Sequence, residues 1–128
     1  MTYKSKYYNI KTRALDGTVF DSHKEARRWE ELLLLKRAGK ISDLQRQVKY
    51  ELIPAQYETY ERYSKKGERL KDGAKLIERK VDYVADFVYT DVETGATIVE
   101  DSKGIRTKDY ILKRKLMLAV HGIRIKEV

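Results

Sequence analysis

The sequence predicts an α/β fold: one mixed central β-sheet flanked by helices, with an N-terminal hairpin in front. Three observations carry this. Runs at 47–54, 80–90 and 96–103 are rich in β-branched and aromatic residues, segments 22–39 and 107–122 space their apolar residues helically, and turn residues separate these runs. The resulting order, hairpin, helix, three strands, helix, strand, is that of helices packed about one sheet. At 128 residues the chain is long enough for one core and short for two, so a single domain over 1–128 is expected.

Residues 7–20 read as two short strands around Asp16-Gly17, a dipeptide that tolerates the backbone of a tight turn. A helix follows, with Ser22 as its cap, Glu25 three residues later and Gly39 as terminator. Ala26, Trp29, Leu32, Leu33 and Leu35 form its apolar face. From 47 to 54, Val48, Tyr50 and Leu52 alternate with Gln47, Lys49 and Glu51, and Pro54 ends the strand. The polar segment 55–80 is expected to be an exposed excursion, a hairpin extension or a mobile arm. The runs "KVDYVADFVYT" and "ATIVEDSK", joined by "DVETG", are expected to be adjacent antiparallel strands. The second helix offers Ile111, Leu112, Leu116, Ala119 and Val120 for burial, and "IRIKEV" closes as a last strand.

Lys and Arg number 28 against 20 Asp and Glu, a formal charge of +8, which favours a polyanionic partner, nucleic acid first. No run reaches the roughly 18 apolar residues of a spanning helix, and the N-terminus lacks a signal-peptide core, so no membrane partner and a cytoplasmic location are expected. With no cysteine and two isolated histidines, His23 and His121, a zinc site is not expected and any metal would be held by oxygen.

Acidic residues at the end of the third strand stand out. Strand alternation puts Asp101 and Lys103 on one face, roughly 6.6 Å apart, and Glu100 on the other. In the preceding strand Asp86 interrupts an uncharged run from Tyr83 to Tyr89, where a carboxylate is costly to bury without compensation. If these strands pair, Asp86 and Asp101 can share a face, and a divalent cation would relieve their repulsion. Oxygen ligands suit Mg²⁺ or Mn²⁺, which can activate water and neutralise a phosphate, with Lys103 orienting the water or stabilising the transition state. Alternatively, Asp101 and Lys103 form an exposed ion pair worth about 0–1 kcal/mol.

A helix with an early Glu, a strand with Asp, a strand ending in Asp-x-Lys, then helix and strand: this order resembles the PD-(D/E)XK nuclease superfamily. The stretches "FDSHKEARRWEELLLLKRAGKISDLQRQVKYELIP", "RKVDYVADFVY" and "IVEDSKG" are similar to small phage and prophage resolvase-like endonucleases. The resemblance implies a restriction-endonuclease-like core (α-β-β-β-α-β). It implies metal ligation by Asp86 and Asp101, with Lys103 as catalytic lysine and Glu25 as the helical glutamate. It further implies Mg²⁺, with Mn²⁺ able to substitute, and cutting of branched DNA such as a Holliday junction by a homodimer in phage recombination or replication. Two positions depart from the commonest pattern: Ala85 stands where proline is usual, and Asp101 where Glu is more frequent. Glu25 fits a capping box equally well, with Glu30 and Glu31 as fallback glutamates.

For DNA contact the expected residues are Gln47, by the same resemblance or else as an ordinary edge residue, and a basic stretch holding Arg106, Lys108, Lys113 and Arg114. Tyr110, three residues before Lys113, is expected to share an exposed helix face with it. The 62–80 segment adds Arg62, Lys65, Lys66, Arg69, Lys71 and Lys75, preceded by Tyr57, Tyr60 and Tyr63. Competing expectations are a non-catalytic DNA-binding accessory protein on a nuclease fold, and an interaction subunit of a phage complex.

Overall fold

A computed structural model describes residues 3–4, 10–102 and 105–128. Its elements are β1 (Tyr3–Lys4), β2 (Ile10–Arg13), β3 (Val19–Phe20), α1 (His23–Arg37), β4 (Ile41–Ile53), β5 (Gln56–Tyr63), β6 (Arg69–Glu78), β7 (Val81–Asp91), β8 (Thr97–Asp101), α2 (Lys108–His121) and β9 (Lys126–Glu127). The central sheet has the order β4-β7-β8-β9. Its first three strands are antiparallel, and β9 joins parallel to β8, so the sheet is mixed as expected.

β2 and β3 pair around the Asp16-Gly17 turn; positions 7–9 of the expected hairpin lie outside the described residues. The Asp16 carboxylate accepts from the Thr18 N–H at 3.0 Å and from the Trp29 indole N–H at 2.8 Å, tying the hairpin to α1. α1 begins where Ser22 Oγ accepts the Glu25 N–H at 3.2 Å, and ends before Gly39, whose φ of +76° suits a residue without a Cβ.

Apolar side chains divide between the two faces of the sheet. On one face α1 and the hairpin contribute Ala14, Phe20, Ala26, Trp29 and Leu32 to a core with Ile41, Phe87 and Tyr89. Within it the rings of Phe20, Trp29 and Phe87 lie with centroids 5.8–6.2 Å apart, a range that favours tilted and offset aromatic packing. On the other face Tyr110 and Met117 of α2 pack with Leu52, Tyr83, Ala85, Val88, Val99 and Ile125.

Three expectations need correction. β4 starts at Ile41, not 47; its first half was hidden because Ser42, Asp43, Gln45 and Arg46 mask the alternation, and the backbone shifts register between Ser42 and Gln45, with Asp43 at φ +52°. In α2 the buried residues are Tyr110 and Met117, whereas Leu112, Ala119 and Val120 are exposed, because α2 turns a stripe one step from the expected one toward the sheet. The last strand is two residues long, Lys126–Glu127.

Segment 55–80 is an ordered two-stranded arm. β5 and β6 pair antiparallel from Gln56↔Glu78 to Tyr63↔Arg69, continuing the β4–β7 pair beyond an interruption at Pro54, which has no N–H to give to a ladder. Tyr60 lies across Gly73, where an added Cβ would come within 2.3 Å of the ring. Every residue of β5 is exposed.

Candidate functional site

The two strands that carry the candidate residues change pleat at one rung. In β7, Tyr83 and Ala85 face α2 while Phe87 and Tyr89 face α1, although all four are odd-numbered. In β4, Leu44 packs with the α1 core and Arg46 stacks its guanidinium 4.4 Å over Phe20 of that core, yet Val48, Tyr50 and Leu52 face α2. The pairs Arg46↔Phe87 and Val48↔Ala85 leave Gln47 across from Asp86 between them. Gln47 has φ +52°, a left-handed conformation that costs a non-glycine residue about 1–3 kcal/mol and concentrates at functional sites. Asp86 therefore sits at a crossover of the pleat and is only half-buried.

The β7–β8 ladder runs from Thr90↔Thr97 to Phe87↔Glu100. The ladder stops there, and Asp86 and Asp101 are the next residue on each strand beyond its last pair. Asp86 Oδ2 accepts the Ser102 N–H at 2.8 Å, which closes the ladder just beyond Asp101.

Alternation separates the two consecutive carboxylates of β8 as expected. Glu100, fully buried, faces α1, where Arg28 grips it with Nε at 2.8 Å and Nη2 at 2.7 Å, and the Tyr89 hydroxyl donates to it. This bidentate bond is the main reason the Arg28 guanidinium is held above its already high pKa; Arg28 also reaches Glu31 at 2.9 Å. Asp101, 1% exposed, faces α2, where Tyr83 Oη donates to its Oδ2 at 2.5 Å. Burial first, and the Asp101 carboxylate second, push the Tyr83 phenol far up, so it remains a proton donor across the ordinary pH range.

Tyr83, Arg28, Tyr89 and the Ser102 amide escaped the reading of the sequence. A signal existed for Arg28: once Glu100 is placed on a buried face, it demands a cation from the helix that covers that face.

The other expected residues scatter. Lys103 lies outside the described residues. Glu25 is part-buried in the first turn of α1, where its N–H is capped by Ser22, and it is not gathered with Asp86 and Asp101 into a three-carboxylate group. Tyr110 is 5% exposed in the α2 core, which corrects its assignment to an exposed DNA-facing position. Its phenol is pushed up by burial and then by Asp101. Arg106 and Arg114 both bind Glu127 of β9, at 2.5 and 3.2 Å, and lower its pKa, so they fasten the last strand beside β8. Lys108 is exposed and Lys113 part-buried, at the start and middle of α2.

Among the described residues no three His, Cys, Asp or Glu converge as a metal group. Among the described residues, the two carboxylates that come together at the end of β8 on this side are Asp86 and Asp101. That set fits Mg²⁺, which is commonly held by one or two carboxylates and completes its shell with water and substrate phosphate. Among the described residues no helix is long and apolar enough to cross a membrane. No match was found among curated proteins or among solved structures. A family model described as a protein of unknown function, DUF1064, matches residues 4–126, and the chain belongs to that family.

Proposed function

We propose that this chain is a metal-dependent DNA endonuclease of the PD-(D/E)XK type, with Asp86 and Asp101 as its ligand pair and Lys103 as its catalytic lysine. The observation that carries the reading is that Asp86 and Asp101 meet where β8 ends: they follow the last β7–β8 pair, Phe87↔Glu100, and Asp86 accepts the Ser102 N–H next to Asp101, beside the left-handed Gln47. The order of α1, β4, β7, β8, α2 and β9 is compatible with a restriction-endonuclease-like core. A bound Mg²⁺ or Mn²⁺ would supply an activated water and a counter-charge for phosphate. Tyr83 holds Asp101 in place from α2's side, and the Ser102 amide holds Asp86. Lys103, two residues beyond Asp101, is assigned to the attacking water or the developing phosphorane charge. Glu25 stays outside the ligand pair in this reading. A branched substrate and a homodimer are carried by resemblance alone.

The test is cleavage of labelled four-way junction, flap and linear duplex DNA with Mg²⁺ or Mn²⁺ and with EDTA. Wild type is expected to cut at least one of them only with metal. Asp86→Asn, Asp101→Asn and Lys103→Ala should each lose roughly 10²-fold or more, about 2.7 kcal/mol, while Glu25→Gln retains activity within about tenfold. Full activity of Asp101→Asn would remove the assignment. The near-complete burial of Asp101 favours a second reading, a non-catalytic DNA-binding protein. Metal-independent binding without cleavage of any of these substrates would establish it.

A further inference from the structure

The β5–β6 arm leaves the sheet at the same end as the candidate site. β8 stops at Asp101, where Asp86 binds the Ser102 N–H, while β7 continues past Asp86 to Val81 and its chain leads back into β6. At ~3.3 Å per residue the root of the arm lies roughly 17 Å from Asp86 along β7, and the ten residues of β6 add about 33 Å. The arm's reach beyond its root is thus about one turn of B-form DNA, ~34 Å.

Charge is uneven along the arm. Between positions 62 and 71 stand Arg62, Lys65, Lys66, Arg69 and Lys71, and the single acid is Glu68. Arg69 is paired with Asp72 at 2.9 Å and lies 3.9 Å from Glu61. Arg62, Lys65, Lys66 and Lys71 have no ion pair among the described residues, and all four are exposed. Unpaired cations at the end of a projecting ribbon repel a second copy of themselves. The turn "SKKGE", residues 64–68, has no apolar side chain to enter a lipid surface.

We infer that the β5–β6 arm is a DNA-binding ribbon, which lies along the duplex flanking the candidate site and holds its phosphates with Lys65, Lys66 and Lys71. A two-stranded ribbon fits the ~12 Å major groove of B-DNA, whereas the major groove of A-form RNA is too deep and narrow to admit it. The inference rests on the proposed function for its partner, DNA, and not for cleavage.

The experiment uses the full chain in EDTA, so that binding is read without cutting, with 40-bp duplex DNA across a salt series. The triple variant Lys65→Ala/Lys66→Ala/Lys71→Ala is expected to bind at least about tenfold more weakly at low salt. Its log–log salt slope should fall by about 2.7, at ~0.9 for each phosphate that a lysine no longer neutralises. Wild type should prefer 40-bp over 12-bp duplex and over 40-bp RNA duplex, and the variant should lose the length preference. If the triple variant fails to fold by circular dichroism, Lys71→Gln alone is read, with an expected slope change of about 0.9.

Unchanged slope and affinity in a folded variant overturn the inference, as does a wild type that binds no duplex. A dimer or anionic-vesicle binding that depends on these lysines, with DNA binding unaltered, also overturns it. A wild type that binds through the arm but never cuts with metal keeps the arm and removes the nuclease; one that cuts while the triple variant binds normally does the reverse.

Discussion

The β4–β7 pair and the β5–β6 pair are successive halves of one ribbon, joined through Pro54 on one side and Lys80 on the other, and they differ in what covers them. The first half has helices packed against its faces, and Tyr83, Ala85, Phe87 and Tyr89 are buried there, although Val84 and Ile53, toward the arm, are 44 and 36% exposed. The second half has similar strand-forming residues, yet Tyr57, Leu76 and Ile77 remain 61, 46 and 50% exposed. Strand-forming sequence alone therefore does not decide burial; coverage by α1 and α2 does. A two-stranded ribbon without a covering layer is marginal in water, so the arm's order derives from its rooting in the sheet and from cross-strand packing such as Tyr60 on Gly73.

The contrast is broken most severely at the charge buried under α1, one of the two helices that cover the first half. Arg28→Ala leaves Glu100 fully buried without its guanidinium and is expected to lower stability by about 3–5 kcal/mol in urea denaturation. Because the loss comes from an uncompensated carboxylate, adding Glu100→Leu should recover much of it. A loss below about 1 kcal/mol for Arg28→Ala would show that the pair is dispensable.

A milder pair of substitutions compares the α1 layer that covers the first half with the uncovered arm. Leu32→Ala, at a position with no exposed surface, removes packing against the α1 core and should cost about 2–5 kcal/mol. Leu76→Ala, in the arm, should stay within about 0.5 kcal/mol. Equal losses would mean that the arm belongs to the same cooperative unit as the core and is covered by something beyond this chain.

The sequence exposed the helices, the β7–β8 hairpin and the separation of Glu100 from Asp101, because each rests on a local period of 3.6 or 2 residues. It hid what depends on a break in the period. With Gln47 left-handed and the pleat crossing over at the Gln47–Asp86 rung, straight alternation from Val48 back to Leu44 assigns the first half of β4 to the wrong face. Tyr110 was misplaced for a related reason. A tyrosine next to a basic cluster reads as surface, but α2's first turn packs against Tyr83 and Asp101, and the ring goes inward with them. Arg106 and Arg114 looked like phosphate contacts because their partner, Glu127, is remote in sequence and reaches them only when β9 joins β8 in parallel.

The smallest expected effect lies at the edge of the layer that covers the first half, where Asp16 ties the hairpin to α1. The Trp29 indole N–H is the chief cause that holds the Asp16 carboxylate below its usual range, ahead of the backbone N–H of Thr18. A depressed folded-state pKa means that this carboxylate contributes stability above its unfolded value, near pH 4, and that the contribution disappears as pH falls through the lower folded value. Asp16 is exposed, so the effect should be under about 1 kcal/mol. Trp29 is the protein's single tryptophan, so its emission reports the bond directly. Between about pH 5 and pH 2.5, wild type should show a change in emission that Asp16→Asn lacks, and the stability difference between the two should shrink toward the acid end. Parallel curves for the two proteins would mean that the hairpin is held by Phe20 and Ala14 in the core rather than by this hydrogen bond.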